Sequence, residues 1–315
     1  MVELHRPVME KEVTEHLVWC SAGVYVDATV GDGGHAEAIL NRLAPGGRLI
    51  GLDWDREALT RAEKRLNRFG SRVILIHDSY TNLEEVLTNL KIVAVEGILI
   101  DLGASTLQLM DPNRGFSYHQ EGDLDMRMDR RSSLTAREVI NCYPEEQLAE
   151  IFYRFGEERW SKKIAALIVR EREQGKPIDD SKALAELVKL AIPARFRRHG
   201  GHPSRKVFQA LRLTVNRELD NISTFMPQSL KMLSPGGRIV VIAYHSLEDR
   251  LVKNFLRENA GRCSCPLHLP CVCGQKGKLK IITGKALKPL PTEIEENPRA
   301  RSARIRVAEK LKPVD

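Results

Sequence analysis

Val24-Tyr-Val-Asp27-Ala-Thr-Val-Gly31-Asp-Gly33-Gly34-His35, continued by Leu49-Ile-Gly-Leu-Asp53, is the stretch that decides the fold. An apolar strand enters a glycine-rich turn, a short helix comes next, and a second apolar strand ends on an acid twenty residues after Gly33. That is the layout of a cradle for a nucleoside cofactor. Gly31 and Gly33 carry no Cβ and tolerate positive φ, so the backbone can bend sharply and come close to a ligand. Asp53, at the carboxyl end of its strand, is placed to accept hydrogen bonds from ribose hydroxyls. The spacing from Gly31 to Ala36 also fits the dinucleotide fingerprint, which keeps a nicotinamide cofactor open beside S-adenosylmethionine. Asp27 tilts the choice. An acid ahead of the glycines repels a pyrophosphate but suits a cofactor bearing a sulfonium and an ammonium.

Outward from this turn, Val73-Ile-Leu-Ile-His77 and Gly97-Ile-Leu-Ile-Asp101 continue the alternation of strand and helix, which predicts an α/β fold with a mostly parallel sheet. From about Leu109 to Arg217 no comparable strand is found, while Leu134 to Tyr153, Glu157 to Arg172 and Ser181 to Ile192 carry helical periodicity. The expected division is therefore residues 1–108, an all-helical insertion over 109–217, and residues 218–315 completing the first domain. Arg238 to Tyr244 supplies a fifth strand, and Leu279 to Thr283 with Ala303 to Val307 a closing antiparallel pair. Leu43-Ala-Pro-Gly-Gly-Arg48 and Leu233-Ser-Pro-Gly-Gly-Arg238 each stop a helix and launch a strand.

With 315 residues, 42% of them hydrophobic and 29% charged, the chain can bury a large core. No apolar run reaches membrane-span length and the first residues lack signal-peptide organisation, so cytoplasm is the expected compartment. A net charge of +7 favours a polyanionic partner. The local source is Arg195, Arg197, Arg198, Arg205, Lys206, Arg212 and Arg217, with no acid among them, which reads as a phosphate track or as a solvated face. Cys263, Cys265, Cys271 and Cys273 crowd four thiols into eleven residues. They could surround one zinc ion, but single-residue spacing within each pair is unusual for zinc, so unligated thiols are the expectation and no metal is assigned.

The chain resembles the ribosomal RNA small subunit methyltransferase H family. The resemblance is carried by Asp27-Ala-Thr-Val-Gly-Asp-Gly-Gly-His35, Asp101-Leu-Gly103, Arg114-Gly-Phe-Ser117, Leu124-Asp-Met-Arg-Met-Asp129 and Gly156-Glu-Glu-Arg159. It continues through His202-Pro203, Phe208-Gln-Ala-Leu-Arg212, Val215-Asn216, His245-Ser-Leu-Glu-Asp-Arg250 and Glu296-Asn-Pro-Arg-Ala-Arg-Ser302. The resemblance implies a class I methyltransferase, with a Rossmann-like mostly parallel sheet and an inserted all-helical domain. It further implies methyl transfer from S-adenosylmethionine to the N4 amino group of a cytidine in the decoding region of small-subunit (16S) ribosomal RNA. The partner would be that RNA, within the small ribosomal subunit; a homodimer stays open. Cofactor contacts would fall on Gly33, Gly34, His35, Asp53, Tyr80, Asp101 and Gln108.

The lone pair of a cytosine amino group is delocalised into the ring, so an enzyme must align that nitrogen with the methyl donor and accept the proton released on transfer. Asp101 is expected at the mouth of the reaction site, with Tyr244 and His245 as further catalytic candidates, and which group accepts the amine proton stays open. Two bland readings stand beside these. His35 could cap the helix it opens, and Ser246 with Asp249 could form a capping box. Two other function classes remain on residues alone: a nicotinamide oxidoreductase, and a non-catalytic RNA-binding assembly factor that keeps an adenosine site.

Overall fold

The computed structural model describes residues 7–197, 202–261 and 277–312. Arg198 and all four clustered cysteines lie outside the described residues. The chain divides into two compact units, Met1–Gly103 with Leu219–Asp315, and Ala104–Glu218.

The first unit runs α1 (Glu10–Leu17), β1 (Val24–Asp27), α2 (Gly34–Arg42), β2 (Arg48–Asp53), α3 (Arg56–Leu66), β3 (Val73–His77), α4 (Leu83–Asn89) and β4 (Val95–Asp101). The second contains α5 (Thr106–Met110), α6 (Ala136–Cys142), α7 (Glu145–Arg154), α8 (Ser161–Glu173), α9 (Ser181–Ala191) and α10 (Arg205–Val215). The chain then returns through α11 (Glu218–Met232), β5 (Leu233–Ala243), α12 (Ser246–Asn259), β6 (Leu279–Ile281), α13 (Pro291–Glu296) and β7 (Arg304–Lys310).

The seven strands form one sheet in the order β3-β2-β1-β4-β5-β7-β6. β1 to β5 pair in parallel, and β7 runs antiparallel to both β5 and β6. Successive side chains of a strand point to opposite faces. Val26, Ile50, Leu52, Ile98, Ile100, Ile239 and Val241 therefore enter one core cluster, with residues of α4, α11 and α12 over it. Tyr25, Leu49, Leu99, Val240, Ile242, Ile305 and Val307 enter another, beneath α1, α2 and α3. Because both faces are covered, these strands read as apolar runs rather than as an alternating pattern.

The fifth strand starts earlier than its apolar run. Val95 pairs with Leu233 and Gly97 with Arg238, so two residues of β4 span five of β5, and the Ser-Pro-Gly-Gly turn bulges out with Gly236 at φ 85°. Leu134 to Tyr153 does not form one helix. It breaks at Tyr143-Pro144 into α6 and α7, because proline cannot donate the hydrogen bond a continuous helix requires there. The helix beginning near Glu157 starts instead at Ser161.

Within the helical unit, several sequence motifs serve one loop. Arg114 donates to the carbonyls of Arg127 and Met128, and Asn216 accepts from Met128 N while donating to Met126 O. Gly115 sits at φ 68°, where an added Cβ would lie 1.8 Å from Asp123 O. No helix of the described residues is long and apolar enough to cross a membrane.

Candidate active site

Strand order places the site. β1 lies between β2 and β4, and the connections leave the sheet in opposite directions on either side, which opens a crevice at the strands' carboxyl ends. Asp27, Asp53 and Asp101 terminate β1, β2 and β4 there.

The glycine turn is built by these acids. Gly31 and Gly33 adopt φ of 51° and 82°, and Gly31 N donates to Asp53 Oδ2 at 2.8 Å. Asp53 Oδ1 accepts from Asp55 N at 2.8 Å. Both oxygens of Asp53 thus shape the backbone, and each keeps a further lone pair for a ribose hydroxyl. Gly34 opens α2, where an added Cβ would meet the Pro7 ring at an ordinary 3.4 Å. Thr29 couples β1 to β4: its amide donates to Asp27 Oδ1 at 3.2 Å, and its hydroxyl accepts from Asp101 N at 2.7 Å.

His35 does not cap α2. The N-cap is Gly33, and the buried imidazole instead approaches Asp101, with Nε2 3.7 Å from Oδ2. Asp27 Oδ2, both ring nitrogens of His35 and Asp101 Oδ1 are buried atoms without a hydrogen-bond partner. Buried polar atoms are nearly always paired, so four in one crevice mark a surface shaped for a polar ligand. Burial pushes Asp27 up to about 7, against the pull of His35 and the Thr29 amide, while Asp101 and Asp53 add to the rise. Burial likewise lifts Asp53 to about 6, opposed by the amides of Asp55 and Gly31. Neighbouring acids that resist ionising together favour a cation between them. S-adenosylmethionine carries its charge on a sulfonium and an ammonium, which fits this donor set; a pyrophosphate does not.

Tyr244, directly after β5, lies against the Asp101 carboxylate. Burial and that hydrogen-bonded acid hold its hydroxyl well above the usual phenol range, so it stays a neutral donor. His245 also serves the fold. It is the N-cap of α12: its Nδ1 accepts from Glu248 N at 3.4 Å, and the Glu248 carboxylate accepts from the amides of Tyr244 and His245 at 2.9 and 3.3 Å. The capping box is thus His245 with Glu248, one residue earlier than Ser246 with Asp249. Asp249 instead pairs with Arg306 at 2.6 Å; burial works against its charge, but Arg306 outweighs that and holds the carboxyl low.

Two further expected cofactor residues are held by neighbours of their own. Tyr80 is 5% exposed, packed against Trp54 and Phe225 with ring centroids 5.5 and 5.4 Å away. Gln108 belongs to the helical unit, where its side chain accepts from Ser105 N at 2.9 Å and closes the capping box of α5. Trp54 was not singled out in the sequence. It is half-buried and immediately adjoins Asp53, and that adjacency was the available signal.

The basic run is thinner than its count. Arg212 pairs with Glu218 through two contacts of 2.8 and 3.0 Å. Arg197 Nε donates to Ile192 O, and Lys206 Nζ to Glu157 O, both at 2.7 Å. Arg195 and Arg205 are exposed.

Comparison with known proteins joins this geometry to a family. Residues 2–311 match the model of the MraW methylase family. A protein of Halothermothrix orenii is 48% identical over 308 residues, covering 98% of each chain, and one of Carboxydothermus hydrogenoformans is 50% identical with the same coverage. Both are named ribosomal RNA small subunit methyltransferase H. A crystal structure of an rRNA methylase from Streptococcus thermophilus superposes with a TM-score of 0.43 at 12% identity, over 96% of this chain and 94% of that one. Since the family match spans nearly the whole chain, the protein belongs to the MraW methylase family, and S-adenosylmethionine is its methyl donor.

Proposed function

We propose that this protein methylates the N4 amino group of a cytidine in the decoding region of small-subunit ribosomal RNA, acting on that RNA within the small subunit. The RNA part of the reading rests chiefly on near-full-length identity with relatives named for that substrate. The choice of base is what the family resemblance implies, a resemblance carried by the ordered motifs from Asp27 to Ser302.

When bound, S-adenosylmethionine supplies an electrophilic methyl group on a positively charged sulfur. Asp27 and the Gly31–Gly33 turn hold the donor, and Asp53 with Trp54 faces its nucleoside. Asp101 accepts a hydrogen bond from the exocyclic amine, which turns the nitrogen toward the donor, and receives the proton that the amine loses on transfer. Tyr244, neutral and bonded to Asp101, fixes that carboxylate's orientation. His35, with Nε2 3.7 Å from Asp101 Oδ2, lines the same crevice and faces the bound donor. His245 acts through the α12 cap that places Tyr244. Arg195 and Arg205 offer their guanidinium groups to RNA phosphates, joined by Arg198; Arg197 and Lys206 shape the backbone beside them.

Mass analysis of small-subunit RNA from cells lacking the protein tests this reading. Loss of one methyl group from a cytidine N4 is expected. Unchanged methylation would overturn it in favour of a non-catalytic RNA-binding factor.

A further inference from the structure

Gly156-Glu-Glu-Arg159 is a motif the methyl-transfer chemistry leaves unused. In the structure it is a tight corner between α7 and α8. A Cβ on Gly156 would lie 2.6 Å from Phe152 O and 2.7 Å from Lys206 O, so only glycine lets the three backbones meet. Glu157 takes a left-handed φ of 49° and gives its carbonyl to Lys206 Nζ. Glu158 is 4% exposed and accepts from Trp160 N at 2.9 Å. A corner held this firmly sets the positions of the exposed Arg159 and the half-buried Trp160.

Trp160 meets Phe196 with centroids 5.5 Å apart and planes tilted by 47°. Three exposed cations lie over the two rings. The Arg159 guanidinium lies 4.9 Å from the Trp160 centroid and 4.6 Å from that of Phe196, Lys163 Nζ lies 5.1 Å from Trp160, and Arg195 lies 4.7 Å from Phe196. Arg159, Lys163 and Arg195 are exposed, and among the described residues none of their side chains forms an ion pair or hydrogen bond with the protein. A solvated charge run needs no aromatic floor, and a core aromatic pair needs no exposed cations. The combination matches single-stranded nucleic acid, which offers a flat π-face beside each phosphate. A duplex keeps its bases stacked inside and would meet only the charges.

We infer that Trp160 and Phe196, with Arg159, Lys163 and Arg195, form a stacking platform for an unpaired base and its flanking phosphates in the RNA substrate. This rests on the RNA-methylating reading above and adds where the helical unit grips the strand. It acts in binding and takes no part in the chemistry.

The test uses the full-length protein and compares a single-stranded oligoribonucleotide with an RNA duplex of equal length. Phe196→Leu and Trp160→Leu are each expected to weaken single-strand binding by about tenfold, the scale of one base–aromatic stack, and duplex binding much less. Trp160→Phe, which keeps a ring, should restore most of the affinity; circular dichroism and thermal unfolding confirm that the variants fold. In methylation assays on small subunits, KM for RNA should rise while kcat holds. Equal losses on duplex and single strand would reduce the patch to a charged surface and overturn the platform, as would unchanged binding by all variants or equal loss in Trp160→Phe and Trp160→Leu. Wild-type protein that methylates RNA while these variants match it refutes the platform alone. Wild-type protein that neither binds nor methylates RNA refutes the functional reading beneath it.

Discussion

Replacing Asp27 with Asn should make the protein more stable at alkaline pH while crippling its hold on the methyl donor. Asp27 is 1% exposed, and one of its carboxylate oxygens has no partner. Its folded pKa stands at about 7 against an ordinary 3.8, so the folded chain keeps a proton that the unfolded chain releases. With the folded value raised, stability falls as pH climbs from about 4 to about 7 and then levels off. Three pKa units correspond to about 4 kcal/mol, of which about 2.5 kcal/mol develops between pH 5 and pH 8. Asn keeps an oxygen for the Thr29 amide and does not titrate. The variant's advantage over wild type should therefore grow by about 2.5 kcal/mol over that interval, or about 4 °C in unfolding temperature for a chain of this size. Thermal unfolding of both proteins at pH 5 and pH 8, with donor affinity measured on the same samples, decides the matter. Parallel pH dependences in the two proteins would refute the buried-acid account, and so would donor affinity unchanged by the substitution.

Asp101→Asn should lower turnover by about a hundredfold or more while S-adenosylmethionine affinity stays within a few-fold; wild-type turnover would remove Asp101 from proton transfer. His245→Ala should cost about 1 kcal/mol of stability through the lost cap, with kcat little changed, as read by urea unfolding beside steady-state kinetics. A hundredfold loss of kcat at unchanged stability would instead make His245 catalytic. Gly115→Ala should destabilise the helical unit by at least about 2 kcal/mol, since the new methyl collides with Asp123 O at a left-handed φ. Limited proteolysis should then cut the 114–128 loop faster than in wild type, and equal cleavage rates would contradict the clash.

Much of the sheet was legible because its signals are local. The apolar runs ending at Asp27, Asp53, His77 and Asp101 are the first four strands, and the closing pair in the tail is antiparallel. The glycine turn was legible for the same reason: Gly31 and Gly33 occupy the left-handed conformations that their lack of a Cβ permits. What sequence could not supply were choices between competing partners, near or far along the chain. Ser246 with Asp249 is the box the sequence offers for α12, yet it forms one residue earlier, because the Glu248 carboxylate reaches back to the amides of Tyr244 and His245. Arg212 looked free within a stretch without acids, yet its partner Glu218 waits just past the stretch. The Arg114, Met126 to Met128 and Asn216 motifs were visible as a pattern, but only folding brings the 88 positions between Met128 and Asn216 down to one 2.7 Å hydrogen bond. Helix periodicity ran through Pro144 because the apolar spacing on both sides agrees, while the missing amide ends the helix regardless.

Calorimetric titration of the purified chain with S-adenosylmethionine and with NAD, at pH 8 and again at pH 6, tests the acid-lined cradle most directly. The methyl donor should bind at pH 8 and about tenfold more weakly at pH 6, because acid refills Asp27 with the proton that the cation must displace; NAD should give no binding heat. Failure to bind S-adenosylmethionine, or a preference for NAD, would contradict the account.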